Sequence, residues 1–141
     1  MNKDVLVLAD GCFDPLHSGH IEHFIVAKKL GSSLIVNTNP DSVIYAKRPK
    51  IGPFLEVKER RSLIHSFPFV DKVISLPSVE AIKQIRPNIY VQGIDWKDRL
   101  PQDEIEICEK LNIKIHYTNI RVNSSRKILD RFLDQYQKNK S

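Results

Sequence analysis

Apolar residues recur along this chain in two patterns, short unbroken runs and stretches with helical spacing. Val5-Leu6-Val7-Leu8-Ala9 is continuously apolar, the mark of a strand buried on both faces. Ile21, Phe24, Ile25 and Leu30 follow at helical spacing, Gly31-Ser32-Ser33 interrupts them, and Leu34–Thr38 returns to strand character. Two such strands joined by a helix demand a right-handed crossover and parallel pairing. The alternation continues with a helix over Glu56–Phe67, its core face formed by Val57, Leu63, Ile64 and Phe67, and a strand over Lys72–Leu76. A short helix over Val79–Ile85, capped by Ser78 and stopped at Arg86-Pro87, leads to a strand at Asn88–Val91. Within Leu100–Leu111 a polar helix shows Ile105, Cys108 and Leu111 on one face, and Lys114–Tyr117 makes the last strand. The final helix runs from Ser124 to Gln137, with a tail that frays from Lys138. Only Asn39–Pro53 has no period, and its basic, Pro- and Gly-containing composition predicts a long loop of the kind that serves as a lid. The prediction is an α/β fold with a five-stranded, mostly parallel sheet.

Composition narrows the function classes. At 141 residues with 41% hydrophobic and 28% charged content, the chain fits one compact domain spanning 1–141. Its apolar runs are far shorter than a bilayer requires and the first residues carry no signal-peptide pattern, so a cytoplasmic location without a membrane partner is expected. The formal net charge of +5 admits nucleic acid, a membrane surface or a small polyanion as partner. No Lys/Arg run is long enough for the first two, and basic residues recurring at loops point to a polyphosphate ligand. Cys12 and Cys108 show neither metal-ligand nor redox spacing, and a thiol enzyme built on Cys12 would lack a resolving partner.

The candidate chemistry sits at Asp10-Gly11-Cys12-Phe13-Asp14-Pro15-Leu16-His17-Ser18-Gly19-His20, where the first strand passes through a loop into the first helix. Ligands bind at the carboxyl ends of strands in open α/β sheets. Ser18 is placed to cap the helix, Gly19 allows close approach, and the backbone N–H groups of the first turn face whatever lies in front of them. His17 and His20 reach the same region and, neutral or charged, can donate hydrogen bonds to an anion. His23, three residues on, allows a zinc reading together with His17, His20 and Asp10, which the flanking motif outranks. His65 and His116 have no partner pattern and read as structural or solvated.

The string from Gly11 to His20 resembles the His-x-Gly-His signature of the nucleotidylyltransferase superfamily, which includes glycerol-3-phosphate and phosphocholine cytidylyltransferases and the adenylyltransferases of heptose-phosphate activation. The resemblance spans Val5 to Ile128 and implies a Rossmann-like α/β/α sandwich. It implies attack of a substrate phosphate oxygen on the α-phosphorus of a nucleoside triphosphate, ATP or CTP, with release of pyrophosphate. Magnesium would accompany the triphosphate as counter-ion, nucleic acid would have no part, and a homodimer is the first guess for the assembly. By the same resemblance His17 and His20 attend the phosphates, and Gly11, Cys12, Phe13 and Gly19 line the nucleotide. Lys47, at the end of Val43-Ile44-Tyr45-Ala46-Lys47, reaches either the α-phosphate or the acceptor phosphate. Arg60 corresponds to a phosphate-region arginine, with Arg61 as the alternative register. Ser124 and Ser125 stand in a Ser-Thr-Thr-x-Ile-like motif at the start of the last helix, where Arg126 replaces the second threonine and either supplies a cation or points outward.

Gln92-Gly93-Ile94-Asp95-Trp96 resembles the ribose- and base-side loop of those enzymes. Gly93 there permits close approach, Asp95 accepts from a base amine or orients a neighbour, and Trp96 stacks on a ring or covers the core. Asp14 is assigned to the acceptor or to a magnesium-bound nucleotide, and Lys47 and Trp96 to the acceptor. The details divide: the signature, the stretch Arg48–Pro53 and the extra helix lean toward heptose-1-phosphate adenylyltransferases feeding surface-polysaccharide assembly, whereas Asp95-Trp96 leans toward glycerol-3-phosphate cytidylyltransferases. A nucleotide-binding module without turnover is the competing class.

Overall fold

The computed structural model describes residues 4–120 and 125–140. In chain order the elements are β1 (Leu6–Gly11), α1 (Ser18–Lys29), β2 (Ser33–Thr38), α2 (Asp41–Lys47), α3 (Val57–His65), β3 (Lys72–Ile74), α4 (Ser78–Ile85), β4 (Ile89–Gly93), a 3-10 turn (Ile94–Trp96), α5 (Gln102–Lys110), β5 (Lys114–Thr118) and α6 (Ser125–Lys140). The five strands pair in the order β3-β2-β1-β4-β5, every pair parallel. Strand order reverses between β1 and β4, which opens a crevice at their carboxyl ends.

Continuous apolarity in the central strands is explained by two cores that share them. Val7, Ala9, Leu34, Val36 and Val91 face Phe24, Ala27 and Ile64 from α1 and α3. Leu8 and Tyr90 point the other way, toward Ala81, Ile82 and Cys108 from α4 and α5. Adjacent strand residues alternate between these cores, as the pleat requires.

The structure corrects several boundaries. The non-periodic stretch contains a helix, α2, which follows an extended Pro40 and buries only Ile44, so it has no apolar stripe for the pattern to reveal. In α3 the inward positions are Ile64 and, unexpectedly, Arg60, while Leu63 is 43% exposed. The N-cap of α4 is Pro77, and Ser78 turns its hydroxyl to Asp10 instead. β3 stops at Ile74, β4 carries on through Gln92 and Gly93, and α6 continues to Lys140, past the point where fraying was expected. Among the described residues no helix is long and apolar enough to cross a membrane.

Candidate active site

The first turn of α1 is capped by imidazoles. His17, not Ser18, is the N-cap: its Nδ1 accepts from the Gly19 N–H at 3.1 Å, while His20 Nδ1 accepts from the His17 N–H at 3.3 Å. The rings stack with centroids 3.7 Å apart. Because each Nδ1 is an acceptor, a neutral ring must carry its proton on Nε2. Burial, with smaller contributions from His17 and His23, pushes His20 down to about 3, and burial also lowers His17. Both rings are therefore uncharged at neutral pH, with Nε2–H as their donor. The Gly19 N–H is spent on His17 Nδ1, and the His20 N–H on the His17 carbonyl at 3.0 Å. The anion-binding capacity expected of those backbone groups thus passes to the side chains.

His23 stands apart from the pair, its Nδ1 2.6 Å from Thr118 Oγ1 on β5. Burial, then the His116 charge, lowers it to about 4, which suits a neutral structural ring. Among the described residues no group of three or more His, Cys, Asp or Glu is arranged to hold a metal ion.

The loop before α1 is held from beneath. Phe13 adopts a left-handed φ of 53°, and its ring packs edge-on to His20 and Phe24 at 5.1 and 4.8 Å. A Cβ at Gly11 would stand 3.0 Å from the Phe13 ring, so a larger residue there would have to displace the ring by a few tenths of an ångström. Asp14, assigned from sequence to the acceptor or a magnesium-bound nucleotide, is buried: it accepts from Arg48 at 2.5 Å and from the N–H groups of Phe54 and Leu55 at 2.8 and 2.7 Å. Its charge is consumed within the protein.

Arg60, assigned to the nucleotide, is also fully buried. Its Nη1 donates to Thr38 Oγ1, Asn39 O and Cys12 O at 2.6, 2.7 and 2.9 Å. Nη2 meets Asp41 at 2.6 Å and Nε meets Leu55 O at 2.9 Å. The guanidinium lies under the loop and ties it to β2, α2 and α3. Arg61, the alternative, is exposed, with Nη2 3.5 Å from Val73 O.

Lys47 ends α2 and is exposed, its Nζ 3.6 Å from Cys12 Sγ and 5.4 Å from the centre of the Trp96 ring. It joins the β1 loop to the turn after β4. Of the two roles left open for Trp96 the structure shows the second, packing on the Leu8–Tyr90–Leu100 core, and its ring also attracts Lys47 and, at 5.5 Å, Arg99. A Cβ at Gly93 would meet nothing within 4 Å. Beside it a cavity of about 460 Å³ is lined by Ile94, Asp95, Lys97, Asp98 and Arg99. Ser124 lies outside the described residues, and Ser125 is placed only as the first residue of α6.

Sequence reasoning gave Asp10 little weight, yet it is the hub of the crevice. Its Oδ1 accepts from Asn37 Nδ2 at 2.6 Å and Asn39 Nδ2 at 3.4 Å. Its Oδ2 is 2.7 Å from Ser78 Oγ, 3.0 Å from Tyr90 Oη and 3.1 Å from Gln92 Nε2. Tyr90 also meets Glu104 of α5 at 2.5 Å. Burial pushes Glu104 up to about 7; Asp10 and Asp103 add to this, and Tyr90 and Lys47 oppose it. The available signal was a polar residue near the carboxyl end of each of three apolar strands: Asp10, Asn37 and Gln92.

The chain matches the family profile described as cytidylyltransferase-like over residues 8–139. A bifunctional protein HldE from Campylobacter jejuni is 35% identical over 102 residues, 70% of this chain. The chain spans about a fifth of that relative's length, 22%. An FAD synthase from Methanohalobium evestigatum is 36% identical over 92% of this chain and 90% of its own. Among solved structures, a lipopolysaccharide core biosynthesis protein from Thermoplasma volcanium superposes with TM-score 0.67 at 29% identity, covering 84% of this chain and 98% of that one. Pantothenate synthetase from Thermus thermophilus shares the fold alone, with TM-score 0.60 at 9% identity over 82% of this chain and 55% of its own.

Proposed function

Because the chain belongs to the cytidylyltransferase-like family of nucleotidyltransferases, we propose that it transfers a nucleoside monophosphate from ATP or CTP to a phosphorylated sugar or polyol. A heptose-1-phosphate adenylyltransferase-like activity is the leading form, supported by the signature string and the HldE relatives. The observation that carries the reading is the locked histidine pair, two neutral Nε2–H donors at the carboxyl edge of the sheet, at the end of a loop whose Cys12 Sγ lies 3.6 Å from Lys47 Nζ.

In the reaction an acceptor phosphate oxygen forms a bond to the α-phosphorus while the bond from that phosphorus to the α,β-bridging oxygen breaks. Pyrophosphate leaves with the electron pair, and no proton need move. The chief obstacles are repulsion between anions and charge gathering on the leaving group, so fixed donors do the work. His17 and His20 donate to the phosphate oxygens, and Lys47 screens the approach of the acceptor. Magnesium carried by the triphosphate would supply the remaining counter-charge; Asp10 and Asp14 are engaged by protein donors, Asn37 and Arg48 among them.

A second acceptor reading, FMN, is favoured by the FAD synthase relative, matched over nearly its whole length, and FMN also presents a phosphate on a polyol chain. Pyrophosphate release with ATP or CTP against heptose 1-phosphate, glycerol 3-phosphate and FMN tests the proposal. H17A and H20A should each lose roughly 100-fold or more in kcat, the scale of one oxyanion donor. No release with any pair would favour a binding module without turnover, and wild-type turnover in both variants would remove the histidines from the chemistry.

A further inference from the structure

The contacts around Tyr90 do not balance if every carboxyl group is ionised. Its hydroxyl oxygen lies 2.5 Å from Glu104 Oε1, 3.0 Å from Asp10 Oδ2 and 2.8 Å from Gln92 Nε2. A tyrosine has one proton to donate. With two carboxylates facing it, one of those oxygen pairs would be an acceptor against an acceptor inside the protein, where an unmatched polar contact is costly. Asp10 has the surroundings of an anion: Asn37, Asn39 and Gln92 direct amide N–H groups at it, and Ser78 adds a hydroxyl. Glu104 meets only Tyr90 among these groups.

One assignment closes the count. Glu104 keeps its proton and donates it to Tyr90 Oη, Tyr90 donates to Asp10, and the two Gln92 amide hydrogens divide between Tyr90 and Asp10. We propose that Glu104 is a positioning residue for nucleotidyl transfer, acting in its protonated form through Tyr90 and Asp10 to hold the carboxyl ends of β1 and β4 together. Those ends carry Gly11 and Gly93, on the two sides of the crevice. The catalytic consequence rests on the transferase reading; the proton placement does not.

Losing this proton sets a second negative charge against Asp10 with one hydroxyl proton between them. Asp103 on α5 disfavours ionisation of Glu104, and Lys47 on α2 favours it. Cys108 and Tyr117 are themselves pushed up in part by Glu104 and stay neutral at ordinary pH. The proton is therefore held below about pH 7 and released above it, and the crevice loosens on the alkaline side.

The test joins three readouts on the full chain. In glutamate-carboxyl ¹³C-labelled protein, the resonance missing from E104Q should titrate near neutrality. The amide resonances of Gly11 and Gly93 should move with the same midpoint in wild type and stay still in E104Q, whose amide donates to Tyr90 at every pH. The alkaline fall of kcat/KM should share that midpoint and be absent from the E104Q profile, whatever its absolute level. Titration of Glu104 in the ordinary carboxylate range overturns the proposal. So do glycine amides that do not follow it, or an alkaline limb that persists unchanged in E104Q. Absence of turnover in every protein would refute the transferase reading and the catalytic role with it, while the carboxyl and amide titrations still decide the proton placement.

Discussion

Arg60→Lys separates two accounts of a buried cation. In the structure the guanidinium makes five contacts, all to protein acceptors, and the side chain is fully buried. A lysine ammonium at the Nη1 position can still serve Thr38 Oγ1, Asn39 O and Cys12 O, because three acceptors surround that single atom. It has no second branch for Asp41 and nothing at Nε for Leu55 O. Hydrogen bonds to a charged group are worth about 1.5–3 kcal/mol each, and the partly exposed Asp41 recovers some hydration, so the low end applies: a loss of about 3 kcal/mol. In urea, with a slope of about 1–3 kcal/mol per molar, the unfolding midpoint should fall by roughly 1–3 M. R60A, which also leaves a cavity and strands the acceptors, should cost more, on the order of 5 kcal/mol. A change within about 0.5 kcal/mol for R60K would refute the reasoning, since only surface positions tolerate substitution so well. Unchanged stability with weakened nucleotide binding would return Arg60 to the phosphates.

Asp14→Asn puts an amide where three donors converge, and should cost about 2–4 kcal/mol in urea unfolding and speed tryptic cleavage at the exposed Lys50. His23 has a folded pKa of about 4 against an ordinary 6.5, so its contribution is complete above 6.5 and drains as pH falls through 4. By pH 5 the loss is about 2 kcal/mol; an imidazole titration midpoint near 6.5 by NMR would contradict it. Two glycines should behave oppositely. A Cβ at Gly31 would stand 2.5 Å from the Val5 carbonyl, so G31A should destabilise by about 2 kcal/mol in the same assay. G93A, with open space around it, should leave stability within about 0.5 kcal/mol while weakening nucleotide binding in calorimetry if the ligand packs there.

The strand–loop–helix at Asp10–His20 was legible because each part has a local cause: an apolar run, a turn, and helical spacing after a cap. The sheet followed from the same alternation, and Val7 and Leu8 facing opposite cores is what continuous apolarity means. α2 was hidden because one buried Ile44 makes no period. The partners of charged residues were less accessible. Sequence marks Asp14 and Arg60 as charges near the site, but their acceptors and donors lie many positions away, and only the folded chain shows both groups turned inward. The cap at α1 was missed for a related reason, since histidine is not a usual capping residue and serine stands next to it. The role of Asp10 was hidden because the five groups around it come from three separate segments, at residues 37–39, 78 and 90–92.

The bonds closing on Asp14 and leaving Arg60 make the loop depend on a second stretch of chain far along the sequence. Asp14 is completed by residues 34 to 41 positions downstream, and Arg60 returns from 48 positions on to hold Cys12. Residues 10–20 and 48–60 are thus two halves of one fitting. Grafting the first stretch alone into a relative would import an unmet carboxylate and an unsupported turn; exchanging both together would carry the fitting across whole.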